Sequence, residues 1–117
     1  MSARVLVVDD DDAFRYATVK MLADAGFKAV EAPDYRQALE ILDDKQPLAL
    51  LVMDIMVPGV NGFALARMAR MRHRDLKVIY VSGFDVPTNE AIGPVLRKPI
   101  EGDALMDEIR KALADSV

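Results

Sequence analysis

The stretch VLVVDDDDAF, residues 5–14, runs four apolar residues straight into four aspartates. A short Val/Leu run of this kind reads as a strand buried on both faces. Carboxylates crowded at its end repel one another unless they meet a cation or a helix start. Asp9 and Asp10, nearest the strand, are therefore candidate ligands for a hard cation. Asp12 is expected to cap the helix that follows, with Asp11 just before it. Negative charge at a helix start is favourable by about 0.3–1 kcal/mol.

Similar runs recur along the chain. Strands are expected at 4–8 (RVLVV), 28–32 (KAVEA), 49–53 (ALLVM), 77–81 (KVIYV) and 94–97 (PVLR). Between them lie stripes of helical period. Phe14, Ala17, Thr18, Met21, Leu22 and Ala25 share one face over 12–25, and Gly26 supplies a left-handed stop. Tyr35, Ala38, Leu39 and Leu42 form a second stripe that ends before Pro47. Phe63, Ala66, Ala69 and Arg70 form a third, with Asn61 as its cap. Leu105, Ile109, Ala112 and Leu113 form the last. The five methionines from 53 to 106 are expected as core filler.

Strand–helix alternation predicts an α/β fold with a parallel sheet and right-handed crossovers. One crossover is short. FDVPTNEAIG, residues 84–93, carries Pro87 and Gly93 and has no room for a helix of about 11 residues. One helical turn or a loop is expected there.

The chain has 117 residues, which predicts one domain over 1–117 with no output domain in this chain. With 52% apolar and 29% charged residues it has a soluble globular profile. Cysteine is absent, which excludes disulfides and thiolate metal sites. The net charge of −4 suits neither nucleic-acid phosphates nor anionic lipid. PLALLVM, residues 47–53, is too short to span a bilayer, and no secretory segment is recognisable. The expectation is a cytoplasmic protein that engages neither nucleic acid nor membrane. ARMARMRHR (66–74), His73 included, reads as a solvated basic face at a helix end.

Three more polar residues end predicted strands: Asp54 in LLVMDIMVPGVNG (50–62), Ser82 in VIYVSG (78–83) and Lys98 in LRKP (96–99). In a parallel sheet all these ends share one edge, where ligands of such folds bind. Clustered carboxylates recruit a hard divalent ion, and Mg²⁺ commonly takes one or two carboxylates plus phosphate and water. An ion of that kind offsets the repulsion between Asp54 and an incoming phosphoryl group. Asp54 is then the nucleophile forming an acyl phosphate, while Ser82 and Lys98 bind phosphoryl oxygens.

This constellation resembles the receiver domain of two-component response regulators, chemotaxis-regulator-like, over essentially the whole chain. The family's acid pair is matched by Asp9 and Asp10. Its phosphoacceptor, with a Pro four residues on and a Gly eight on, is matched by Asp54, Pro58 and Gly62. Its hydroxyl is matched by Ser82, and its Lys-Pro by Lys98 and Pro99. The resemblance implies a flavodoxin-like doubly wound sheet of five parallel strands, order 2-1-3-4-5, with the fourth helix shortened or missing. It also implies a metal ligand in the backbone carbonyl of Met56 and a cis bond before Pro99. The implied activity is Mg²⁺-dependent phosphoryl transfer to Asp54 from a histidine kinase or phosphotransfer protein. Such a domain catalyses its own phosphorylation and dephosphorylation, turns over no independent substrate, and passes the signal to a downstream protein.

The sequence departs from the family at the fifth strand, where Val95 replaces the usual aromatic switch. Phe84, two residues after Ser82, is the candidate to act with Ser82 as the switch. Its structural alternative is packing over the shortened crossover. Met56 beside Phe84 leaves no polar group to orient water, which predicts slow loss of the phosphoryl group. Two rival functions remain at this level. Asp9 and Asp11 form the D-x-D of haloacid-dehalogenase-like phosphatases with Asp9 as nucleophile, although the Thr and Gly that should follow are missing. A receiver-like module that binds partners without phosphorylation is the other.

Overall fold

The computed structural model describes residues 3–57 and 59–114. Five strands form the sheet: β1 (Arg4–Val8), β2 (Lys28–Ala32), β3 (Leu50–Asp54), β6 (Lys77–Ser82) and β7 (Val95–Arg97). Their order is β2-β1-β3-β6-β7, and every neighbouring pair is parallel. This is the predicted doubly wound order. A two-stranded hairpin, β4 (Met56–Val57) with β5 (Val60–Asn61), follows β3 and was not expected from the sequence. Pro58 lies outside the described residues.

Helices α1 (Asp12–Asp24), α2 (Tyr35–Leu42), α3 (Gly62–Arg72) and α4 (Gly102–Ala114) cover the sheet. Alternate strand residues face opposite sides. Val5, Val7, Leu50, Val52 and Ile79 pack with Leu22 of α1 and with Leu105 and Ile109 of α4. Leu6, Val8, Leu51, Met53 and Tyr80 pack with Ala38 and Leu42 of α2 and with Phe63 and Leu65 of α3. Burial on both faces explains the uninterrupted apolar runs. Each fully buried large aliphatic side chain contributes roughly 1.5–3 kcal/mol.

The fourth crossover is a loop, residues 83–94, without helix. Val86, Ala91 and Ile92 pack against the core on the α3 side. The Ile92 N–H donates to the Tyr80 hydroxyl at 3.3 Å, and Arg67 of α3 pairs with Glu90 at 3.1 Å. A Cβ at Gly93 would stand 1.8 Å from the Val78 carbonyl oxygen, so only glycine lets the loop pass so close to β6.

Several sequence expectations need correction. The α1 N-cap is Asp11, whose side chain accepts from the Phe14 N–H at 3.2 Å; Asp12 is the first helical residue and pairs with Arg15 at 2.6 Å. Met53 and Met106 are core, but Met56 and Met71 are exposed. His73 is half-buried and is not solvated surface: its Nε2 lies 2.9 Å from the Leu42 carbonyl oxygen. Among the described residues no helix is long and apolar enough to cross a membrane.

Candidate functional site

The parallel order brings the carboxyl ends of β1, β3 and β7 to one edge. Each strand delivers one charged side chain at its end or one residue beyond it. Asp9 follows β1 and is fully buried. Its Oδ1 accepts from the Asp11 N–H at 2.8 Å, and its Oδ2 accepts from Lys98 Nζ at 2.8 Å. Asp54 closes β3 and is 8% exposed. Its Oδ1 accepts from the Met56 N–H at 2.8 Å, and its Oδ2 from the same Lys98 Nζ at 3.1 Å. One ammonium thus bridges two carboxylates from different strands.

Asp10 completes the cluster from the exposed side. Carboxylate oxygens of Asp9, Asp10 and Asp54 all lie within 4.8 Å of one another. With all three ionised and one ammonium present, two negative charges are left unbalanced. Burial pushes the Asp9 carboxyl above its ordinary 3.8, although bonds from Lys98 and the Asp11 N–H work to lower it. Burial also works to lower Lys98, but its bonds to Asp9 and Asp54 hold the ammonium above its ordinary 10.5. A compact set of hard oxygen donors with excess negative charge fits Mg²⁺, whose ligands are carboxylates, carbonyls, phosphate and water. The Mg²⁺ expectation therefore agrees with the donor chemistry present.

Ser82 ends β6 and is fully buried. Its Oγ donates to the Phe84 carbonyl oxygen at 2.7 Å and accepts from the Phe84 N–H at 3.1 Å. The hydroxyl is thus occupied by the start of the 83–94 loop. The Phe84 ring does not pack over that loop; it is 66% exposed. Phe84 and Ser82 border a crevice of about 170 Å³ with Val86, Thr88 and Val95–Arg97. The Lys98–Pro99 peptide bond is cis. The loop between β3 and α3 is tight: Gly62 N–H donates to the Ile55 carbonyl at 2.9 Å, and a Cβ there would stand 2.6 Å from Ile55 Cα.

Two residues at this site escaped the sequence reading of charge and spacing. Arg15, on the first turn of α1, donates through Nη1 to the Asp9 carbonyl oxygen at 2.7 Å, through Nη2 to Asp12 at 2.6 Å, and through Nε to Glu31 of β2 at 2.9 Å. It ties the acidic loop to the neighbouring strand and supplies the positive charge that the aspartate run lacks. Phe14 places its ring 4.4 Å from Lys98 Nζ, measured to the centroid.

Residues 5–110 match the response regulator receiver domain family. The chain belongs to that family. Phosphoryl acceptance is the function of receiver domains, and they interact with histidine kinases and downstream effectors. The response regulator receiver protein CpdR of Brucella abortus (strain 2308) is 34% identical over 116 residues, covering 94% of this receiver domain and 96% of that protein. The C4-dicarboxylate transport transcriptional regulatory protein DctD of Pseudomonas aeruginosa is 36% identical over 116 residues, covering 94% of this chain but 25% of its own length. A solved CheY-like receiver domain from Methanospirillum hungatei JF-1 superposes with a TM-score of 0.90 at 24% identity, covering 99% of this chain and 97% of that one. The last likeness bears on the fold. The receiver domain thus spans nearly all of one relative and a quarter of another.

Proposed function

We propose that Asp54 is the phosphoacceptor and that its donor is a histidine kinase or phosphotransfer protein carrying phosphohistidine. The observation that carries this reading is Lys98 Nζ bridging Asp9 and Asp54, at 2.8 and 3.1 Å, inside a three-carboxylate cluster. In the reaction an Asp54 carboxylate oxygen bonds to phosphorus as the phosphorus–nitrogen bond breaks. The imidazole leaves as the neutral ring after taking up a proton. Asp9, Asp10, Asp54 and the Met56 backbone carbonyl are the residues that would hold Mg²⁺. When bound, Mg²⁺ supplies positive charge against the phosphoryl oxygens.

The chain's own groups do the rest. Asp54 is held by the Met56 N–H at Oδ1, so its carboxylate plane is fixed before the donor arrives. Lys98 moves its ammonium from Asp54 Oδ2 to a phosphoryl oxygen and keeps Asp9 as its anchor. Ser82 donates a hydrogen bond from its hydroxyl to another phosphoryl oxygen. To do so it gives up the bond to the Phe84 carbonyl, which links the phosphoryl group to the 83–94 loop and the exposed Phe84 ring. Ser82 and Phe84 therefore act as the switch that a downstream protein reads.

Asp9 suits the nucleophile's role less well than Asp54, because it has no exposed surface while Asp54 keeps some. The acid pair, Asp54, Ser82 and Lys98 are all present, which favours a phosphorylated module over a silent one. The test is exposure to acetyl phosphate with and without Mg²⁺, read by intact mass. One added phosphoryl group is expected with Mg²⁺, and none in Asp54→Asn. Labelling that survives in Asp54→Asn, or labelling indifferent to Mg²⁺, overturns the reading.

A further inference from the structure

We propose that Phe14 is a positioning residue for Lys98. Its ring holds the ammonium against the carboxylate pair and leaves it free to move to the phosphoryl group; this rests on Asp54 being the acceptor. The Lys98 ammonium has three protons. Asp9 Oδ2 and Asp54 Oδ2 take two directions, and the Phe14 ring lies 4.4 Å from Nζ. A ring face within about 6 Å attracts an ammonium through its quadrupole, more strongly as water is removed. Here the Lys98 side chain is only 17% exposed.

The choice of a ring has a chemical consequence. A carboxylate, hydroxyl or water in that place would accept a directed hydrogen bond and compete with the phosphoryl oxygen. A ring face offers charge stabilisation without a fixed direction, so Nζ can pivot across it as one carboxylate partner gives way to phosphate. The ring also keeps water from that side, which leaves the ammonium charge less screened. Its support is rigid. Phe14 is the residue whose N–H is capped by Asp11, it precedes Arg15 with its three bonds, and it packs against the core on the α1–α4 side. The first turn of α1 thus fixes both sides of the site: Arg15 holds the acid loop, and Phe14 holds the lysine.

The experiment compares Phe14→Leu, which keeps an apolar side chain without a π face, with Phe14→Tyr, which keeps the ring. The maximal rate of phosphorylation by acetyl phosphate in Mg²⁺ should fall about three- to tenfold in Phe14→Leu, the size expected from a partly desolvated cation–ring contact. The donor concentration at half rate should move little, and Phe14→Tyr should recover most of the rate. In a Lys98→Ala background, Phe14→Leu should have no further effect. Equal losses in the leucine and tyrosine variants, or additive losses with Lys98→Ala, would show that Phe14 only fills space and would overturn the proposal. A second readout needs no phosphorylation. The Lys98 ε-methylene protons should be shifted upfield by the ring in the wild type and Phe14→Tyr, and not in Phe14→Leu. Unshifted wild-type protons sink the ring contact even if Asp54 is the acceptor. Loss of labelling dependence on Asp54 with the upfield shift intact instead sinks the phosphoacceptor assignment alone.

Discussion

Asp9 is fully buried, and that burial holds its carboxyl above the ordinary 3.8. A carboxyl raised in the folded state adds stability while protonated, below 3.8, and loses that contribution as the pH rises through the folded value. Ionised Asp9 therefore opposes folding at neutral pH in the absence of metal. Asp9→Asn should melt about 3–6 °C above the wild type at pH 7 in chelator. The gap should close as the pH falls toward the ordinary carboxylate range, where wild-type Asp9 takes up its proton. A gap that stays constant with pH would mean that the buried charge is not its source. Met56 raises a kinetic question at the same scale. Its N–H orients Asp54, but its side chain is 62% exposed and offers nothing to hold water. Met56→Asn places an amide there. The phosphoryl lifetime should shorten about two- to tenfold, or ~0.4–1.4 kcal/mol off the hydrolysis barrier. An unchanged lifetime, followed by loss of the added mass, removes the idea.

At the scale of elements, the loop 83–94 makes the fourth crossover without a helix. Its path over β6 depends on Gly93, where a methyl group would meet the Val78 carbonyl oxygen. Gly93→Ala should cost about 2–4 kcal/mol in urea unfolding. Gly83→Ala, with open space at its Cβ, should cost far less. Equal effects would mean that backbone freedom, not the close approach, is what the loop needs. The loop's lack of a helix was legible, because Pro87, Gly93 and its length leave no room for one. Its replacement packing through Ile92 and Tyr80 was not, since that depends on where the chain folds back. The sheet was legible for a different reason: burial on both faces writes itself as apolar runs such as Val5–Val8 and Leu50–Met53. The α1 cap was misplaced by one residue because Asp11 and Asp12 are equally good capping types, and only backbone geometry chooses Asp11. Met56 and Met71 looked like core because methionine is apolar, yet they stand exposed at the hairpin and on α3. Arg15 was missed because, beyond its local pair with Asp12, it binds the Asp9 carbonyl and Glu31 of β2, contacts that no side-chain spacing along the helix reveals. Its removal is therefore informative. Arg15→Ala should weaken Mg²⁺ binding, measured by titration, by loosening the Asp9–Asp12 loop. Unchanged affinity would confine Arg15 to tying α1 onto β2.

Across the whole molecule, helices pack on both faces of the sheet, and the charged side chains meet at one edge of it. The candidate site residues were legible because each sits at or next to a strand's carboxyl end; the distances among them were not, since register and twist set those. The cores on the two faces stabilise the fold, while the buried Asp9 carboxylate works against it. A ligand that binds only the folded state adds stability by mass action, about 2.7 kcal/mol at a hundred times its dissociation constant. Mg²⁺ should therefore raise the melting temperature by several degrees, and chelator should reverse the rise. Asp10→Asn should abolish most of it, because Asp10 is exposed and its loss costs the fold little else. NaCl at matched ionic strength should not reproduce the effect, since screening acts weakly on the buried Asp9 and the largely buried Asp54. The response should also weaken as the pH falls and Asp9 takes up a proton, because a protonated carboxyl is a poor ligand. If NaCl matches Mg²⁺, or if Asp10→Asn responds like the wild type, the cluster is relieved by diffuse screening, and the acids at the end of β1 do not form a metal site.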